Sequence, residues 1–518
     1  MNERQAPARV RFTGMAYGGD AVGRDPESGI AVFGWPAIEG ETAVLDIVSR
    51  GKSHLRGVVT SLEEAAPSRR VPPCPYFGAC GGCQWQHIAY EQQVAFKHDI
   101  LRSQLARLGG IADPDAILRE PVGSPAPYGY RNTSHFALSV ESRTVGYHRR
   151  DSHGIIPVLE CPISSPGINA VLPFVNSVLA MAVGPGEPAP ERGAMQVWKV
   201  SVRASDATGH TLLVFHSRSR TAPTRSQRGR HRPVERPEQG PTDVGADGDS
   251  TPILLTRREV RRAVAAESQA GGLLADRALI AVEVMDDGTV NRLGETRSAS
   301  SAAGDALADV LGGSQIGQGV MRTAQEGGPP LGAWVERLAG RHYWVAPDAF
   351  FQANTPVAER MLAEVIEHVG ARGGAMIDAH AGVGTFSIAI AEQAAHVYAF
   401  ETDSAAVHSA RWNASAHNLR TVSVQQGRAE QLLPRLAWSV KLELALLDPP
   451  RAGCHPALLT ELGKREVPRI IYVSCDPSTL ARDIKVLAPK YRLVSARMFD
   501  MFPQTYHIET VAVLDLVQ

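Results

Sequence analysis

The sequence predicts a multidomain α/β protein with a small N-terminal β-barrel, a β-rich central domain and a C-terminal Rossmann-like domain. From about residue 343 onward, short apolar runs alternate with helical segments, which is typical of a doubly wound, mostly parallel sheet. The strand candidates are residues 375–378, 396–400, 442–447, 469–473 and 511–514. Near the N-terminus, apolar and polar residues alternate between glycines, which favours the short strands of an OB-like barrel. We therefore predict domains at residues 1–62, 63–342 and 343–518.

The charge of the chain is balanced. Its 518 residues include 53 Lys and Arg against 54 Asp and Glu, so that binding to nucleic acid would depend on local basic patches. No uninterrupted apolar run is long enough to span a bilayer, and no apolar segment follows the first four residues. We expect a cytoplasmic monomer without membrane contact.

Three of the six cysteines crowd into one run, at Cys74, Cys80 and Cys83. Six cysteines are too few for a disulfide scaffold in a chain of this length, and such a cluster in a cytosolic protein more often binds a metal. The sequence therefore predicts a metal site ahead of a helical stretch near residues 90–108.

An arginine-rich segment at about residues 217–250 interrupts the central domain. It is rich in Ser, Pro, Gly and Gln, so it cannot bury enough apolar surface to order itself. We interpret it as a surface insertion. The alternative is a basic arm that adds salt-sensitive affinity for phosphates.

The most informative feature is a cysteine at the end of a predicted strand. An apolar run leads through Ser474 to Cys475, where Asp-Pro stops the strand. Ligands bind at the carboxyl edge of open α/β sheets, and Asp448 ends the preceding apolar run. With Glu509 further on, a thiol and two carboxylates indicate a nucleophile with acid/base partners. The alternative is an inert core cysteine.

A glycine loop follows the first strand of the C-terminal domain. Gly382 and Gly384 let a ligand approach the backbone, and Glu401 at the end of the next strand can accept hydrogen bonds from ribose hydroxyls. The loop lacks the full G-x-G-x-x-G spacing of dinucleotide enzymes, because Ser387 stands at the third glycine. We therefore predict S-adenosyl-L-methionine as the cofactor.

Five motifs together point to one family. They are FFQAN at residues 350–354, the glycine loop at 378–385, DPPR at 448–451, SCDPSTLARD at 474–483 and FPQTYHIE at 502–509. In this order they resemble the RNA uracil-C5 methyltransferase family. The barrel resembles a TRAM domain, and the cysteine cluster resembles the iron–sulfur site of the members that act on 23S ribosomal RNA. The resemblance covers nearly the whole chain, apart from the arginine-rich segment.

The resemblance implies a covalent mechanism on uridine. C5 of uracil is a weak nucleophile, and addition of the Cys475 thiolate to C6 makes C5 electron-rich enough to take a methyl group. A base must then remove the C5 proton, and the family places this base at Glu509. The target uridine lies in folded RNA, so it must be flipped into the site. An ordinary structural carboxylate is the alternative reading of Glu509.

The resemblance also implies ligands for two cofactors. Gln352, Glu401 and Asp448 correspond to contacts with S-adenosyl-L-methionine, and His380 and Thr385 match positions in the glycine loop. The implied ligands of an iron–sulfur cluster, of the 4Fe-4S type, are Cys74, Cys80, Cys83 and Cys161. Their spacing fits iron–sulfur ligation better than the paired knuckles of zinc, which is the alternative metal.

Several positions depart from the family pattern. Arg428 stands where Asp or Asn is usual, Thr385 replaces an amide, and His380 begins a His-Ala pair where an aromatic-Cys pair is common. Asp476 stands beside Cys475 where Asn is typical. A carboxylate there opposes thiolate formation unless it is screened or paired, so we expect Asp476→Asn to keep full activity.

Two runs in the central domain combine aromatic side chains with cations, as stacking on bases and contact with phosphates require. They are YGYRN at residues 128–132 and HRR at 148–150. We interpret both as RNA-binding surface, and a merely solvated surface is the alternative.

The leading functional hypothesis is methylation of uridine C5 in 23S ribosomal RNA. Transfer RNA is the alternative substrate, although typical tRNA members lack the barrel and the cysteine cluster. An amino-group methyltransferase would have an aromatic residue after Asp-Pro-Pro, where this chain has Arg451. An inactive RNA-binding assembly factor would not need Cys475 and Glu509.

Overall fold

A closed barrel, a mixed sheet and a C-terminal α/β sheet follow one another along the chain. The computed structural model describes residues 8–182, 194–218, 252–269, 277–296, 328–371 and 373–517. Nearly all of the arginine-rich segment lies outside the described residues. Among the described helices, none is long and apolar enough to cross a bilayer. The structure confirms the predicted multidomain α/β fold with its small N-terminal barrel.

Five short strands close the N-terminal barrel in the order β1-β2-β3-β5-β4. They are β1 (Ala8–Met15), β2 (Ala21–Arg24), β3 (Ala31–Trp35), β4 (Thr42–Arg50) and β5 (His54–Glu64). Alternation along β1 directs Val10 and Phe12 into the barrel interior, where both are buried. Gly34 lets β3 pass close to Phe12, because a Cβ at this position would collide with the Phe12 ring.

The central domain is built on an eight-stranded mixed sheet, counted within the described residues. Helix α1 (Tyr90–Arg107) and strand β6 (Leu118–Val122) precede it. Its strands are β7 (Thr133–Ser139), β8 (Thr144–His148), β9 (Ile155–Pro157), β10 (Ala194–Ala204), β11 (His210–Arg218), β12 (Ile253–Thr256), β13 (Ala278–Met285) and β14 (Val290–Glu295). Helices α2 (Pro166–Ala180) and α3 (Arg257–Gln269) pack on this sheet through a shared apolar core.

A short hairpin joins the central and C-terminal domains. Its strands are β15 (Trp334–Leu338) and β16 (Arg341–Val345). Trp334 and Tyr343 are fully buried in an apolar core that includes Val282 of the central sheet and Met361 of the C-terminal domain. The two domains therefore share a core at this hairpin.

The C-terminal domain is an open α/β sheet with the strand order β19-β18-β17-β20-β21-β23-β22-β6. Its strands are β17 (Ala375–Asp378), β18 (His396–Glu401), β19 (Val422–Gln426), β20 (Leu442–Leu447), β21 (Arg469–Ser474), β22 (Tyr491–Phe499) and β23 (Glu509–Leu516). Its helices are α4 (Thr355–Val369), α5 (Thr385–Ile390), α6 (Ser404–Ala416), α7 (Ala429–Leu432), α8 (Pro456–Lys464) and α9 (Pro477–Leu487).

The topology of this sheet fixes where a ligand can bind. Strands β17 to β21 run parallel, and β23 is antiparallel to both β21 and β22. The strand order reverses between β17 and β20. Ligands of open α/β sheets bind in the crevice at the carboxyl ends of the strands beside such a reversal.

Three strands of this sheet, β6, β19 and β22, are missing from the predicted set. Strand β19 is polar and half exposed, and β22 mixes charged with apolar residues, so neither has a continuous apolar run. Strand β6 falls within the predicted central domain but pairs in parallel with β22. Arg497 of β22 donates a hydrogen bond to the carbonyl of Glu120, which is 377 positions away. The central and C-terminal domains are therefore not separated at a single point in the sequence.

Candidate active site

Cys475, Glu509 and Asp448 meet at the carboxyl edge of the C-terminal sheet. Asp448 follows β20, Cys475 follows the neighbouring strand β21, and Glu509 begins β23. Ser474 pairs with Thr510 in the antiparallel ladder between β21 and β23, so Cys475 stands across from Glu509 where this ladder ends. The fold therefore brings together the thiol and the two carboxylates that the sequence places at strand ends.

The surroundings of Cys475 favour the neutral thiol. Burial raises the pKa of Cys475, and the carboxylates of Glu509 and Asp448 raise it further. The guanidinium of Arg451 acts in the opposite direction. Formation of the thiolate therefore requires a base that takes the proton.

Glu509 and Asp448 hold their protons more tightly than ordinary carboxyl groups. Burial raises the pKa of Glu509 to about 8, with a further contribution from Asp448. Burial also raises the pKa of Asp448 to about 8, and the carboxylates of Asp378 and Glu401 add to this effect. Carboxyl groups that titrate near neutral pH are suited to accept and return protons.

Arg451 contacts a histidine of this site. Its Nη2 lies 3.0 Å from Nδ1 of His507, and the centroid of the His507 ring lies 4.2 Å from that of Tyr506. Burial and the charge of Arg451 hold the pKa of His507 well below its usual range, so the neutral ring accepts this hydrogen bond. The guanidinium of Arg451, held by His507, is therefore a cation close to Cys475.

Asp476 caps the helix that follows Cys475. Its carboxylate accepts hydrogen bonds from the N–H groups of Ser478 at 2.8 Å and Thr479 at 3.0 Å, at the start of α9. Burial and this carboxylate raise the pKa of Tyr17, which lies in the loop between β1 and β2 of the barrel. The negative charge beside Cys475 is therefore paired with backbone donors, and it still makes a small contribution to the raised pKa of Cys475.

The glycine loop leaves open space where a ligand could approach. Gly382 has a φ of 53°, and nothing lies within 4 Å of the position that a Cβ would take. Gly384 has a φ of 87°, in the left-handed region that favours glycine, and a Cβ there would make only an ordinary contact of 3.4 Å with the Cβ of Ala410 on α6. The loop thus presents bare backbone at Gly382 and depends on glycine geometry at Gly384.

Backbone donors fix the carboxylate of Glu401. Oε2 accepts a hydrogen bond from the N–H of Gly382 at 2.9 Å. Oε1 accepts from the N–H groups of Thr402 at 2.6 Å and Asp403 at 2.8 Å. Each oxygen can accept more than one hydrogen bond, so hydroxyl donors of a ligand can still bind to this carboxylate.

Asp378 is a site residue to which the sequence analysis gave no role. Oγ of Ser387 donates to Oδ2 of Asp378 at 2.6 Å, which gives Ser387 a structural role at the place of the missing third glycine. Oδ1 is buried and has no hydrogen-bond partner among the described residues. Burial raises the pKa of Asp378 to about 6. A buried acceptor at the base of an open glycine loop fits a ligand that brings a hydrogen-bond donor.

The remaining predicted cofactor contacts lie on the segments around the glycine loop. Gln352 precedes α4 and is 8% exposed, and its carbonyl accepts a hydrogen bond from Nδ2 of Asn132 at 3.0 Å. His380 follows Asp378, and burial lowers the pKa of His380 to about 4. Thr385 begins α5, and its carbonyl accepts from the hydroxyl of Tyr343 at 3.4 Å. The central domain and the hairpin thus support this side of the site.

The four cysteines of the predicted metal site line one cavity. The lining includes Cys74, Cys80, Cys83, Cys161, Arg131 and Tyr147. The four thiols are free, and burial raises the pKa of Cys80 to about 11. No group of three or more His, Cys, Asp or Glu side chains in the described ranges is placed to hold a metal ion. The structure therefore gathers the predicted ligands without showing a metal centre.

The prediction that residues 128–132 form an RNA-binding surface is wrong for its two central side chains. Tyr130 is 7% exposed, and its hydroxyl donates to the carbonyl of Pro503 at 3.0 Å. Arg131 is 6% exposed and lines the cysteine cavity. Tyr130 is buried against the C-terminal domain and Arg131 beside the cysteine cavity, so neither is available to a base or a phosphate.

Comparison with known proteins relates the chain to RNA methyltransferases. Residues 337–516 match the family model described as tRNA (Uracil-5-)-methyltransferase. The chain is 29% identical to an uncharacterized RNA methyltransferase of Gloeobacter violaceus, over 98% of this chain and 96% of that protein. It is 28% identical to one of Listeria monocytogenes, over 97% of this chain and 95% of that protein. The chain is an RNA methyltransferase, and its C-terminal part matches the uracil-C5 family model.

A solved structure shares the fold of this methyltransferase. It is the crystal structure of Pyrococcus abyssi tRNA (uracil-54, C5)-methyltransferase in complex with S-adenosyl-L-homocysteine. The two chains superpose with a TM-score of 0.61 at 23% sequence identity, over 98% of this chain and 100% of that chain. The likeness therefore extends over the barrel and the central domain as well as the C-terminal sheet.

The barrel of the methyltransferase also reaches the edge of the site. The ring of Tyr17 meets that of Tyr506 edge to face, with 5.6 Å between the centroids. Nε1 of Trp85 donates to the carbonyl of Gly19 in the same barrel loop at 2.9 Å. Sequence patterns miss this contact because the barrel loop and the residues around Cys475 come from opposite ends of the chain.

Replacement of Asp476 by asparagine should leave the methylation rate and the stability of the methyltransferase nearly unchanged. Asn accepts the same capping hydrogen bonds and removes the charge beside Cys475. The matched variant Asp476→Ala loses the cap and should lower the free energy of unfolding by about 1 kcal/mol. Methyl-transfer assays and denaturant unfolding measure the two effects. Loss of methylation in Asp476→Asn would show that the carboxylate charge itself has a role.

Proposed function

We propose that this methyltransferase forms 5-methyluridine in 23S ribosomal RNA through a covalent adduct between Cys475 and C6 of uracil. The main support is the meeting of Cys475, Glu509 and Asp448 at one sheet edge beside the glycine loop. Covalent addition followed by proton removal requires a thiol next to groups that exchange protons near neutral pH.

The first half of the proposed reaction adds Cys475 to the ring. Asp448 takes the thiol proton, and Sγ forms a bond to C6 while the electron pair of the C5=C6 bond moves toward C5 and the C4 carbonyl oxygen. The cation of Arg451 offsets negative charge that develops near the addition site. When bound, S-adenosyl-L-methionine would supply an electrophilic methyl group to C5, with cleavage of the bond between this methyl carbon and sulfur leaving S-adenosyl-L-homocysteine.

The second half of the proposed reaction releases the product. Glu509, in its ionised form, removes the proton from C5. The electron pair of this C–H bond re-forms the C5=C6 double bond, and the bond between Sγ and C6 breaks. The methylated uridine leaves, and the thiolate of Cys475 regains a proton. Glu509 must be unprotonated at this step, which is why its raised pKa matters.

We assign the S-adenosyl-L-methionine site to the glycine loop and the residues around it. Glu401 would bind the ribose hydroxyls, and Gly382 would allow close approach of the ligand. Gln352 and Asp448 would contact the cofactor near the reacting methyl group, with His380, Gly384 and Thr385 shaping the loop. The open space at Gly382 and the unpartnered oxygen of Asp378 support this assignment. The Pyrococcus abyssi relative binds S-adenosyl-L-homocysteine.

The barrel offers aromatic and cationic side chains for RNA, in support of a TRAM-like role. The guanidinium of Arg56 lies 5.5 Å from the centroid of the Phe33 ring. The guanidinium of Arg150, from the HRR run, lies 3.5 Å from the ring centroid of Trp35. Arg149 of the same run is exposed. Arg56 and Arg150 both pair with Asp20, at 2.7 Å and 3.5 Å, so RNA phosphates would compete with this carboxylate for their charges. Stacking groups beside cations suit single-stranded RNA.

Transfer RNA is the second candidate substrate. The Pyrococcus abyssi relative is a tRNA enzyme, and its whole chain corresponds to this one. The barrel and the cysteine-lined cavity favour 23S ribosomal RNA only through their resemblance to family members that act on it.

Methylation of both RNAs in parallel tests the proposed function. Unmodified 23S ribosomal RNA and unmodified tRNA would be incubated with S-adenosyl-L-methionine and digested to nucleosides for mass spectrometry. We expect 5-methyluridine from the 23S RNA. The same product from tRNA alone would move the assignment to the second candidate. Methylation of a base amino group, or no product from either RNA, would contradict the uridine-C5 activity.

We also propose that Cys74, Cys80, Cys83 and Cys161 hold an iron–sulfur cluster of the 4Fe-4S type. Four free thiols on one cavity are the donor set of such a cluster. A cluster is wider than a single ion, so its ligands need not converge on one point. The cluster would join the loop of Cys74 to the segment of Cys161. Its role is structural, because methyl transfer moves no net electrons.

Protein purified without air should contain about four iron atoms per chain and absorb visible light. Cys161→Ser should lose most of the iron, because it removes one ligand. Cys454→Ala is the matched control, since Cys454 is buried away from this cavity, and it should keep the iron. Metal analysis and absorption spectra measure both. A colourless protein that contains zinc would overturn the cluster assignment.

A further inference from the structure

Helix α1 holds the loop that leads into Glu509. Nζ of Lys97 lies 2.6 Å from Oδ1 of Asp500 and donates to the carbonyl of Phe502 at 3.0 Å. One turn earlier on the same helix face, Gln93 exchanges two hydrogen bonds with Gln504. Four contacts from one helix therefore fix the loop between β22 and β23.

The Lys97–Asp500 pair is fully buried. The side chains of both residues are 0% exposed. Lysine is almost never fully buried unless it is paired, and removing two charges from water costs more than a surface ion pair returns. Apolar side chains of similar volume could fill this place at less cost, so the retained charges suggest a role beyond stability.

The ion pair lies next to Glu509. Phe499 and Glu509 are partners in the ladder between β22 and β23, and Asp500 is the next residue after Phe499. Charged or titratable groups from several elements interact electrostatically with Glu509. They are Cys475, Asp448, Arg451 and Lys97, and the segments that flank Glu509 add His507 and Asp500, both of which interact with Lys97. Lys97 is the cation that α1 contributes to this set.

We propose that Lys97, paired with Asp500, is a positioning residue that holds Glu509 in place and favours its ionised form when the C5 proton is removed. The proposal rests on the proposed function, because it assigns Glu509 as the base. The charge of Arg451 and, to a smaller extent, that of Lys97 lower the pKa of Glu509, against the larger effects of burial and Asp448 that raise it. Lys97 thus adds to Arg451 in keeping the base available near neutral pH.

The two charges of the pair should shift the elimination step in opposite directions. Removal of the Lys97 cation raises the pKa of Glu509, so breakdown of the methylated adduct should move to higher pH. Removal of the Asp500 charge leaves the cation unopposed, so breakdown should move to lower pH. Each shift should be about one pH unit, as expected for a partly screened charge near a buried carboxyl group. The pH at which adduct breakdown reaches half of its maximal rate is the midpoint of this profile. A purely structural role of Lys97 would lower the breakdown rate at every pH and leave this midpoint unchanged.

The amount of detergent-stable protein–RNA adduct, measured against pH with ordinary uridine RNA and S-adenosyl-L-methionine, reports this midpoint. The variants are Lys97→Met and Asp500→Asn. Lys97→Met leaves a buried carboxylate without its partner and can unfold the protein. The double variant Lys97→Met/Asp500→Asn removes both charges, so comparing it with Asp500→Asn isolates the lysine charge. Its midpoint should lie above that of Asp500→Asn.

RNA that contains 5-fluorouridine separates failure of this inference from failure of the proposed function. Fluorine at C5 cannot be removed as a proton, so wild-type protein should form a stable adduct whatever the state of Glu509. Absence of this adduct in wild-type protein would contradict the proposed function. An adduct in wild-type protein, with equal midpoints for Asp500→Asn and the double variant, would overturn the role of Lys97 alone.

Discussion

Cys475→Ser should reduce methyl transfer by a factor of about 10⁴ or more, as expected for loss of the covalent nucleophile. The serine hydroxyl has nearly the same shape, but it ionises far less readily than a thiol and adds poorly to C6. Transfer of labelled methyl groups from S-adenosyl-L-methionine to RNA measures the change.

The control for this variant is Cys454→Ala. Cys454 lies two residues before α8 and is 3% exposed. Its backbone N–H donates a hydrogen bond to the carboxylate of Asp483. This variant removes a buried cysteine of the same domain without touching the strand ends of the site, so it should methylate RNA at the wild-type rate. Substantial methylation by Cys475→Ser would show that another group attacks the ring.

Glu509→Gln should slow turnover by a factor of about 10² to 10⁴ and trap the enzyme on its RNA, because a general base contributes rate enhancements of this size. The amide keeps the size of the side chain but cannot take a proton. Addition and methylation should still occur, so the adduct that accumulates should already contain the new methyl group. Electrophoresis in detergent and mass spectrometry of the adduct measure both properties.

Asp448→Asn is the comparison for Glu509→Gln. It replaces the neighbouring carboxyl group by an amide. We propose that this carboxyl group takes the proton of the Cys475 thiol and contacts the cofactor. It should slow formation of the adduct rather than its breakdown, so no methylated adduct should build up. If the methylated adduct accumulated in Asp448→Asn but not in Glu509→Gln, Asp448 would be the base that removes the C5 proton and Glu509 would act in adduct formation.

The position of Cys475 and Asp448 at one edge of the sheet could be predicted, because short local sequence patterns indicate it. Cys475 and Asp448 each follow an apolar run, and parallel strands end at the same edge of a sheet, so the two side chains must lie close together. The same rule predicts that Glu401 and the glycine loop lie at this edge of the sheet. Glu509 begins an antiparallel strand, and only the sequence motif around it suggested that it joins this edge.

Long-range partners could not be predicted in this way. Lys97 lies on an ordinary helical stretch. Nothing nearby in the sequence indicates that it will form a buried ion pair with Asp500, 403 positions later. Tyr130 and Arg131 look like RNA-binding residues by composition, yet they are buried. Composition alone does not show whether a cation faces solvent or another domain, because this depends on tertiary packing.

Covalent trapping with 5-fluorouridine RNA is the most direct test of the account. Wild-type protein would be incubated with this RNA and S-adenosyl-L-methionine, digested with protease and nuclease, and the cross-linked peptide sequenced by mass spectrometry. The account predicts a methylated fluorouridine attached to the peptide that contains Cys475. With RNA that the enzyme is known to methylate, absence of the adduct, or attachment at any other residue, would contradict it.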